Sequence, residues 1–292
     1  MAGDGSAQGK DAARANAPDA PRTDALQVDV TKPHSARMYD YYLGGKTHYA
    51  ADAEAAEAVV AKLPQIVQAA RANRDFMARA TRTLSREYGI RQFLDIGTGI
   101  PTEPNLHQIA QAEAPEARVV YTDNDPIVLQ YARALLHSTP EGRTAYLHAD
   151  VTRPETIIQS PELRGTLDLN LPVAVSVNAL FHFVPDELGP YDIVEALMEP
   201  LAPGSFLCLT HGIGDIPDEE LSERASDVIG IYKRGGTAFV PRTRAEVSRF
   251  FEKLELLEPG LTMAHLWRPD PEAAERLPDD ALTLHTGVAR KP

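Results

Sequence analysis

The sequence predicts an α/β fold in which helices cover both faces of a doubly wound, mostly parallel sheet. Short apolar segments end at Ile96, Asp123 and Asp150, and each has the composition of a buried parallel strand. A segment with helical periodicity, which contains Leu106 and Ile109, follows the first of them. Strands that alternate with helices of this length imply parallel pairing with right-handed crossovers.

The first strand leads into a glycine-rich turn within residues 92–104, which read Q-F-L-D-I-G-T-G-I-P-T-E-P. Gly97 and Gly99, on either side of Thr98, let the backbone turn sharply and present no side chain to a ligand. Strand, turn and helix in this order indicate a nucleotide-type pocket at the carboxyl end of the strand.

The residues around the turn distinguish between nucleotide ligands. A dinucleotide fingerprint, G-x-G-x-x-G, has a third glycine where this chain has Thr102, and Glu103 and Pro104 follow. A carboxylate repels a diphosphate, and proline removes a backbone donor. Asp95 instead gives D-x-G-x-G, which suits a ligand with an ammonium group and no phosphate, namely S-adenosylmethionine (SAM). The alternatives are an NAD-dependent oxidoreductase and a turn that binds nothing.

Two later strands end in acidic residues that fit the same ligand. Asp123, with Asn124 beside it, lies roughly 20 residues past the glycines, where doubly wound folds place the acid that binds ribose hydroxyls. Asp150 is suited to accept a hydrogen bond from the adenine amino group while Val151 covers the ring. Acids at strand ends also cap helices, which is the structural alternative for Asp123 and Asp150.

The fourth and fifth predicted strands carry the candidate catalytic residues. His182 follows the fourth strand and His211 ends the fifth. Histidine accepts a proton near neutral pH, so each is a candidate general base, with a structural or ring-stacking role as the alternative. Asn178 is predicted to line the pocket. The sequence places no pair of acidic residues beside a histidine, so it does not indicate a metal-assisted site.

A long helix predicted at residues 65–88 precedes the first strand. Asn73 is the polar exception on its apolar face, and a buried amide needs hydrogen-bond partners. Asn73 is therefore a candidate contact to the methionine end of the cofactor, and Arg74 or Arg37 is a candidate partner for its carboxylate. Arginines on helices are more often solvated, which is the alternative for both.

The segment before that helix is predicted to cover the cofactor pocket. Its tyrosines would supply flat apolar surface with polar tips, and Gly44 with Gly45 would serve as a hinge. Ordinary packing is the alternative. The predicted lid or substrate-facing residues are Tyr39, Tyr42 and His48.

Three regions are expected along the chain. Residues 1–27 are rich in Ala, Gly, Asp, Arg and Pro without apolar periodicity, which predicts a disordered tail. Residues 28–89 form a helical extension or lid, in which Ser35 caps the first helix, and residues 90–292 form the SAM-binding core. Within the core, the proline-containing segment around Trp267 is predicted to be an irregular surface excursion.

Composition limits the classes of function. The 292 residues include 29 Lys and Arg against 42 Asp and Glu, a net charge of −13, so a nucleic-acid backbone is not expected as the main partner. Cys208 is the single cysteine, which excludes an intramolecular disulfide. No apolar run approaches the roughly 18 residues of a membrane span, and the start lacks a signal core. The expectation is a cytoplasmic enzyme whose oligomeric state is open, with a homodimer as one option.

The order of these motifs resembles that of the Rossmann-like SAM-dependent methyltransferases, and more narrowly a largely uncharacterised bacterial family of them. The resemblance spans residues 28–291 and implies a seven-stranded sheet whose last strand is antiparallel. The segments that carry it are residues 33–46, 70–76, 91–102, 121–126, 182–186, 244–251 and 257–261.

The resemblance also implies a reaction. SAM would be the cofactor, and its methyl group would pass to an oxygen or nitrogen of an unidentified, small-molecule acceptor. The family has no general acceptor, so the resemblance implies none in particular. The alternative from another class of function is a non-catalytic SAM-binding sensor. It is favoured if the protein binds SAM but no candidate acceptor leads to consumption of SAM.

Overall fold

Within the described residues, 29–135, 137–271, 277–279 and 281–292, the computed structural model contains one eight-stranded sheet. The predicted disordered tail at residues 1–27 lies outside these ranges. The strands are β1 Gln92–Ile96, β2 Arg118–Asp123, β3 Arg143–His148, β4 Ala174–Asn178, β5 Phe206–His211, β6 Glu255–Leu256, β7 Thr262–Met263 and β8 His285–Arg290.

The strand order is β3-β2-β1-β4-β5-β8-β6, and β6 and β7 pair with opposite ends of β8. Strands β1 to β5 are parallel, and β8 is antiparallel to β5. This confirms the prediction of a doubly wound, mostly parallel sheet. The seven predicted strands become eight because the chain turns at Gly260, whose φ is +82°, and then pairs with β8 a second time. The order reverses between β1 and β4, which is where ligands bind in such sheets.

Helices lie on both faces of the sheet. They are α1 Ser35–Tyr42, α2 Ala50–Lys62, α3 Gln65–Glu87, α4 Leu106–Glu113, α5 Pro126–Leu135, α6 Pro154–Ile158, α7 Pro161–Arg164, α8 Pro190–Met198, α9 Glu219–Arg234 and α10 Arg244–Ser248. On β1, Phe93 packs in the apolar cluster of α3 and α4, whereas Leu94 packs in that of α6, α7 and α8. Both faces of the central strand are therefore buried. Within the part of the chain described, no helix is both long and apolar enough to cross a bilayer.

The surface excursion predicted for residues 263–280 is wrong for the described part around Trp267, which packs into the core. The Trp267 side chain is fully buried, with its ring centroid 5.4 Å from that of Phe76 in an edge-to-face arrangement. The Arg79 guanidinium donates hydrogen bonds to the carbonyls of Trp267 and Ala264, at 3.0 and 2.6 Å. An irregular segment is buried here because a side chain of α3 satisfies its backbone groups.

A cap, which we define as α1, α2 and α9, stands above the carboxyl-terminal edge of the sheet. Met38 and Tyr42 of α1, Val59 of α2, and Val228 and Tyr232 of α9 belong to one apolar cluster. Of the extension predicted over residues 28–89, therefore, α1 and α2 join this cap, whereas α3 packs on the sheet.

Buried charges fasten α1 to its surroundings. The Arg37 Nε atom lies 2.8 Å from the Asp52 carboxylate of α2, and Arg37 Nη1 lies 3.6 Å from the Asp125 carboxylate after β2. Arg37 thus links both helices to the loop beside the sheet. The predicted cap at Ser35 is shifted by one residue, because His34 has the extended backbone of an N-cap (φ −122°) and its Nδ1 accepts from the Ala36 N–H.

The connection between α1 and α2 depends on Gly45. A β-carbon at Gly45 would lie 2.0 Å from Oδ1 of Asp40, whose carboxylate also accepts from the Thr47 N–H at 2.8 Å. We expect Gly45→Ala to destabilise the protein by about 2 kcal/mol, because the buried carboxylate must move away from its donor. The thermal midpoint and the rate of limited proteolysis near the connection would report this loss.

Gly230→Ala provides the matched control for that substitution. Gly230 lies inside α9, where a new β-carbon would meet only the flexible end of Arg234, at 3.4 Å. Alanine is the better helix former, so this variant is expected to be neutral or more stable by about 0.5–1 kcal/mol. Equal behaviour of the two variants would contradict the proposed role of Gly45.

Candidate functional site

A cavity of about 240 Å³ lies between the carboxyl-terminal edge of the sheet and the cap. Among the residues predicted from the sequence, Arg37, His48, Asp150 and His211 do not line it. Those that line it are Tyr39, Tyr42, Asn73, Arg74, Asp95, Gly97, Thr98, Gly99, Asp123, Asn124, Val151, Asn178 and His182.

The two glycines of the turn have different surroundings. Both have a left-handed backbone, with φ of +72° at Gly97 and +67° at Gly99. A β-carbon at Gly99 would meet nothing within 4 Å, so the backbone there is open to the cavity. A β-carbon at Gly97 would lie 2.8 Å from the side chain of Leu180, which belongs to the loop after β4. The glycine therefore also makes room for this leucine. The Thr98 hydroxyl donates to the Asp95 carbonyl at 3.2 Å and closes the turn.

Asp123 points toward the glycine turn. One carboxylate oxygen accepts from the Gly99 N–H and the other from the Asp125 N–H, each at 2.8 Å. Burial raises the pKa of Asp123, and the two backbone donors oppose that rise. Each oxygen keeps a second lone pair, so the carboxylate can still accept from two ligand hydroxyls.

Asp95 and Asn178 form a polar group beside the turn. Burial raises the pKa of Asp95 to about 6, although the neighbouring Ser176 hydroxyl and the Arg74 guanidinium oppose the rise. The Asn178 amide donates to the Ser176 hydroxyl at 2.8 Å. Its carbonyl oxygen is buried and receives no hydrogen bond from the described residues. The group therefore combines a carboxylate with an unsatisfied acceptor, which favours a cationic or N–H-bearing ligand.

Asn73 connects the cap to the sheet. Its amide nitrogen donates to the Tyr39 hydroxyl at 2.8 Å, and that hydroxyl donates to the Ala70 carbonyl at 3.0 Å. Its amide oxygen accepts from the Thr210 hydroxyl at 2.7 Å, which itself accepts from the Ala179 N–H. Ala179 has a left-handed backbone, with φ of +53°. The network leaves Asn73 one N–H for a ligand.

The two arginines predicted as carboxylate partners are both engaged with the protein. Arg74 lines the cavity, and its Nη2 donates to the carbonyls of Thr102 and Pro104, which follow the glycine turn. Arg37 is outside the cavity lining and pairs with Asp52. Arg74 therefore positions the turn, whereas Arg37 positions the cap.

His182 lines the cavity with its ring held in one orientation. Its Nδ1 accepts from the Gly212 N–H at 3.2 Å, so the neutral ring carries its proton on Nε2. Burial lowers the pKa of His182 well below its usual range, and His211 and Arg242 lower it further. The geometry favours a hydrogen-bond donor over the predicted general base.

His211 is a buried structural residue in this fold, in contrast to the predicted base. Its Nδ1 donates to the Gly212 carbonyl at 2.9 Å, and its Nε2 accepts from Arg242 at 2.9 Å. Burial lowers the pKa of His211 to about 4, so the ring is neutral at physiological pH. Both nitrogens are occupied by protein groups, which leaves none for a substrate proton.

Two further predicted residues lie outside the cavity lining for local reasons. The Asp150 carboxylate accepts from the Thr152 N–H at 2.9 Å, which is the strand-end cap considered as its alternative. His48 contacts the Asp40 carboxylate at 3.1 Å. Val151, next to Asp150, does line the cavity.

Sequence reasoning missed the wall that α9 contributes to the cavity. The amphipathic pattern of α9 is visible in the sequence, but periodicity does not say what the apolar face contacts. Phe239, shortly after α9, and Leu180, in the loop after β4, also line the cavity. The α9 residues in the wall are Leu221, Ala225, Val228 and Tyr232.

Comparison with known proteins identifies the family. The sequence profile of a family described as S-adenosyl methyltransferase matches residues 21–292. The chain belongs to this family. It is therefore a SAM-dependent methyltransferase, with SAM as its cofactor.

Solved structures agree with this methyltransferase in sequence and fold. A DUF574 family protein from Streptomyces avermitilis MA-4680 is 50% identical, with 91% of this chain and 100% of that chain covered and a TM-score of 0.86. A proposed methyltransferase from Thermobifida fusca YX is 36% identical, with 90% and 96% covered and a TM-score of 0.80. Among curated proteins, none matches this methyltransferase.

The residues of the methyltransferase cavity fit its cofactor. The open backbone at Gly99 leaves room for a flat nucleoside, and Asp123 beside it presents unused lone pairs to ribose hydroxyls. Asp95 and the unsatisfied Asn178 oxygen suit an ammonium group.

Proposed function

We propose that this methyltransferase moves a methyl group to an oxygen or nitrogen of a small molecule bound under the cap. One observation carries the proposal: a single cavity is lined both by the glycine turn and by the inner face of α9. The turn side suits the cofactor, and the α9 side leaves an enclosed space for a second molecule. A cavity of about 240 Å³ excludes a folded macromolecule from that space.

The proposed cofactor contacts follow from the free hydrogen-bonding groups. Asp123 would accept from the ribose hydroxyls, and Val151 would cover the adenine. Asp95, Asn178 and the remaining N–H of Asn73 would hold the amino-acid end, since each keeps an atom available to a ligand.

The chain's own contribution to the reaction is to align and to exclude water. SAM would supply a methyl group already activated by its sulfonium sulfur, so no residue has to activate it. As the new bond to oxygen or nitrogen forms, the sulfur–methyl bond breaks, S-adenosylhomocysteine leaves, and the proton of the acceptor passes to solvent. Tyr39 and Tyr42 close the cap side, and Asn73 holds Tyr39 against the β5 end through Thr210. Holding two reactants in one geometry is worth several kcal/mol, up to about 7–11, of the barrier.

Cofactor affinity is expected to depend on pH through Asp95. The carboxylate form attracts an ammonium group, and the pKa of Asp95 is about 6 in the free protein. Affinity for SAM should therefore be highest near pH 7 and fall below about pH 6, at a rate that approaches tenfold per pH unit. Calorimetric titration across this range measures the effect.

Asp95→Asn is the control for this dependence. The variant should bind SAM more weakly at neutral pH and show a flatter profile, because its amide does not titrate. A wild-type affinity that stays constant from about pH 7 to about pH 5 would contradict the role of Asp95.

The proposed acceptor class is tested by isotope transfer. The protein is incubated with methyl-labelled SAM and a cell extract separated into small-molecule and macromolecular fractions. Label is expected in a small-molecule product whose new bond joins methyl to oxygen or nitrogen. Label found in protein or RNA alone would refute the proposal, and Asp123→Asn protein serves as the inactive control.

A further inference from the structure

The part of the cavity formed by the cap carries no formal charge. We call it the acceptor compartment, and define it by the lining residues Leu63, Ile66, Phe183, Val228, Tyr232 and Phe239. Among the described residues that line the whole cavity, the carboxylates and cationic side chains, histidines aside, are Arg74, Asp95 and Asp123. All three belong to the glycine-turn side. A charged molecule in the acceptor compartment would therefore lose its hydration without gaining a partner.

One wall of this compartment is aromatic. The Tyr232 and Phe239 rings are nearly parallel, with centroids 5.0 Å apart and planes at 17°. Phe183 lies 5.6 Å from Tyr232 and 5.7 Å from Phe239, measured between centroids. The His182 ring lies edge-on to Phe239 at 5.1 Å. A wall of this kind gains most contact from a flat apolar molecule.

The hydroxyl groups near this wall do not act as bases at neutral pH. The Tyr42 and Tyr232 oxygens are 3.1 Å apart and share a hydrogen bond. Burial raises the pKa of Tyr42 far above its usual range and that of Tyr232 to about 12. Both phenols remain protonated, and one donates to the other, so the pair keeps a single unused O–H.

His182 supplies a hydrogen-bond donor beside the aromatic wall of the compartment. Its Nδ1 is fixed as an acceptor by the Gly212 N–H, so Nε2 carries the proton. Nε2 has no hydrogen-bond partner among the residues that the structure describes, and the side chain lines the cavity. A donor held in a largely apolar enclosure selects for an acceptor atom on the ligand, because an unpaired N–H there is costly.

From these contacts we propose that the acceptor compartment binds an uncharged, flat aromatic molecule whose oxygen or nitrogen accepts a hydrogen bond from His182 Nε2–H. The inference rests on the proposed function, because it names the class of molecule that receives the methyl group. In this proposal His182 is a specificity-determining hydrogen-bond donor. The Arg242 guanidinium, 2.9 Å from His211 Nε2, helps to keep the His211 ring neutral.

The first test measures the protonation state of His182 directly. Histidine labelled with ¹⁵N in the full chain, with the resonance assigned by comparison with His182→Phe, reports which ring nitrogen carries hydrogen. We expect a proton on Nε2 and none on Nδ1 between about pH 6 and 8. A proton on Nδ1, or a charged ring in this range, would overturn the donor assignment.

The second test measures the ligand class with matched probes on protein saturated with S-adenosylhomocysteine. The probes share one ring system: 2-naphthamide is neutral with an acceptor oxygen, naphthalene is neutral without one, 2-naphthoate is anionic, and 2-naphthylmethylammonium is cationic. We expect 2-naphthamide to bind about tenfold more tightly than either charged probe, and more tightly than naphthalene. Tighter binding of a charged probe would overturn the proposal.

His182→Phe separates the hydrogen bond from the aromatic contact. The variant keeps a ring against Phe239 but has no donor, so the preference for 2-naphthamide over naphthalene should disappear while naphthalene binding persists. An unchanged preference would refute the role of His182. Retained affinity for S-adenosylhomocysteine verifies that the variant is folded.

The two proposals fail in distinguishable ways. If no naphthyl probe binds but labelled methyl appears in a small molecule, the ligand class is wrong and the proposed function stands. If label appears only in macromolecules, the proposed function fails whatever the probes do.

Discussion

Asp123→Asn is expected to weaken the binding of SAM by about 100-fold, the largest effect of any single substitution at the cofactor side. The native carboxylate accepts from two backbone donors, Gly99 N–H and Asp125 N–H, with its two oxygens. Asparagine has one acceptor oxygen, so one backbone donor would face its amide hydrogens. The variant also loses the negative charge that would bind the ribose hydroxyls most strongly.

Calorimetry with SAM and with S-adenosylhomocysteine measures this loss. The ribose is common to both ligands, so the fold-change should be the same for the two. Asp168→Asn is the matched control, because that carboxylate is exposed and accepts from the Asn170 N–H within its own loop. An affinity of Asp123→Asn within about threefold of wild type would contradict ribose binding by this residue.

Arg242→Met is expected to lower the free energy of unfolding by about 3 kcal/mol. The Arg242 side chain is buried and donates to the carbonyls of Phe181 and Val184 and to His211 Nε2, at 2.9, 3.0 and 2.9 Å. It also pairs with Asp186 at 2.5 Å. Methionine fills similar space but leaves the Val184 carbonyl and His211 Nε2 without a donor, whereas the Phe181 carbonyl keeps the Val184 N–H at 3.1 Å. Each unsatisfied buried acceptor costs about 1–3 kcal/mol before water or relaxation compensates.

Chemical denaturation followed by fluorescence measures this change, since Trp267 is the only tryptophan in the sequence and its side chain is buried. Arg244→Met is the control, because Arg244 is an exposed arginine, and its effect should stay within about 0.5 kcal/mol. A loss below about 1 kcal/mol for Arg242→Met would mean that the loop after β4 is held by its apolar contacts instead.

Much of the glycine-turn side was predictable because it depends on local order. The carboxyl ends of neighbouring parallel strands meet at one edge, so Asp95 at β1 and Asp123 at β2 had to lie close together once the strands were recognised. Asp150 shows the limit of this reasoning. Its strand β3 ends at the same edge, at His148, but Asp150 lies beyond that end and outside the cavity lining, where its carboxylate accepts from the Thr152 N–H.

The histidines show a different limit. His211 ends β5 and His182 follows the end of β4, and the sequence does not decide which of the two rings faces a ligand. Gly212 and Arg242 distinguish the two histidines. Gly212 binds one nitrogen of His182, whereas Gly212 and Arg242 together bind both nitrogens of His211. Arg242 lies 31 residues beyond His211, and no periodic pattern connects them.

By itself the sequence determined the parallel sheet, the bare turn and the carboxylates beside it, because strand periodicity and glycine placement act over a few residues. Only the tertiary structure decided what stands opposite that turn. The cap joins α1 and α2, from before the first strand, to α9, from after the fifth, through burial of side chains such as Tyr42 and Tyr232. Contacts between residues so far apart in sequence form where apolar faces fit together, and no local sequence pattern specifies which faces pair.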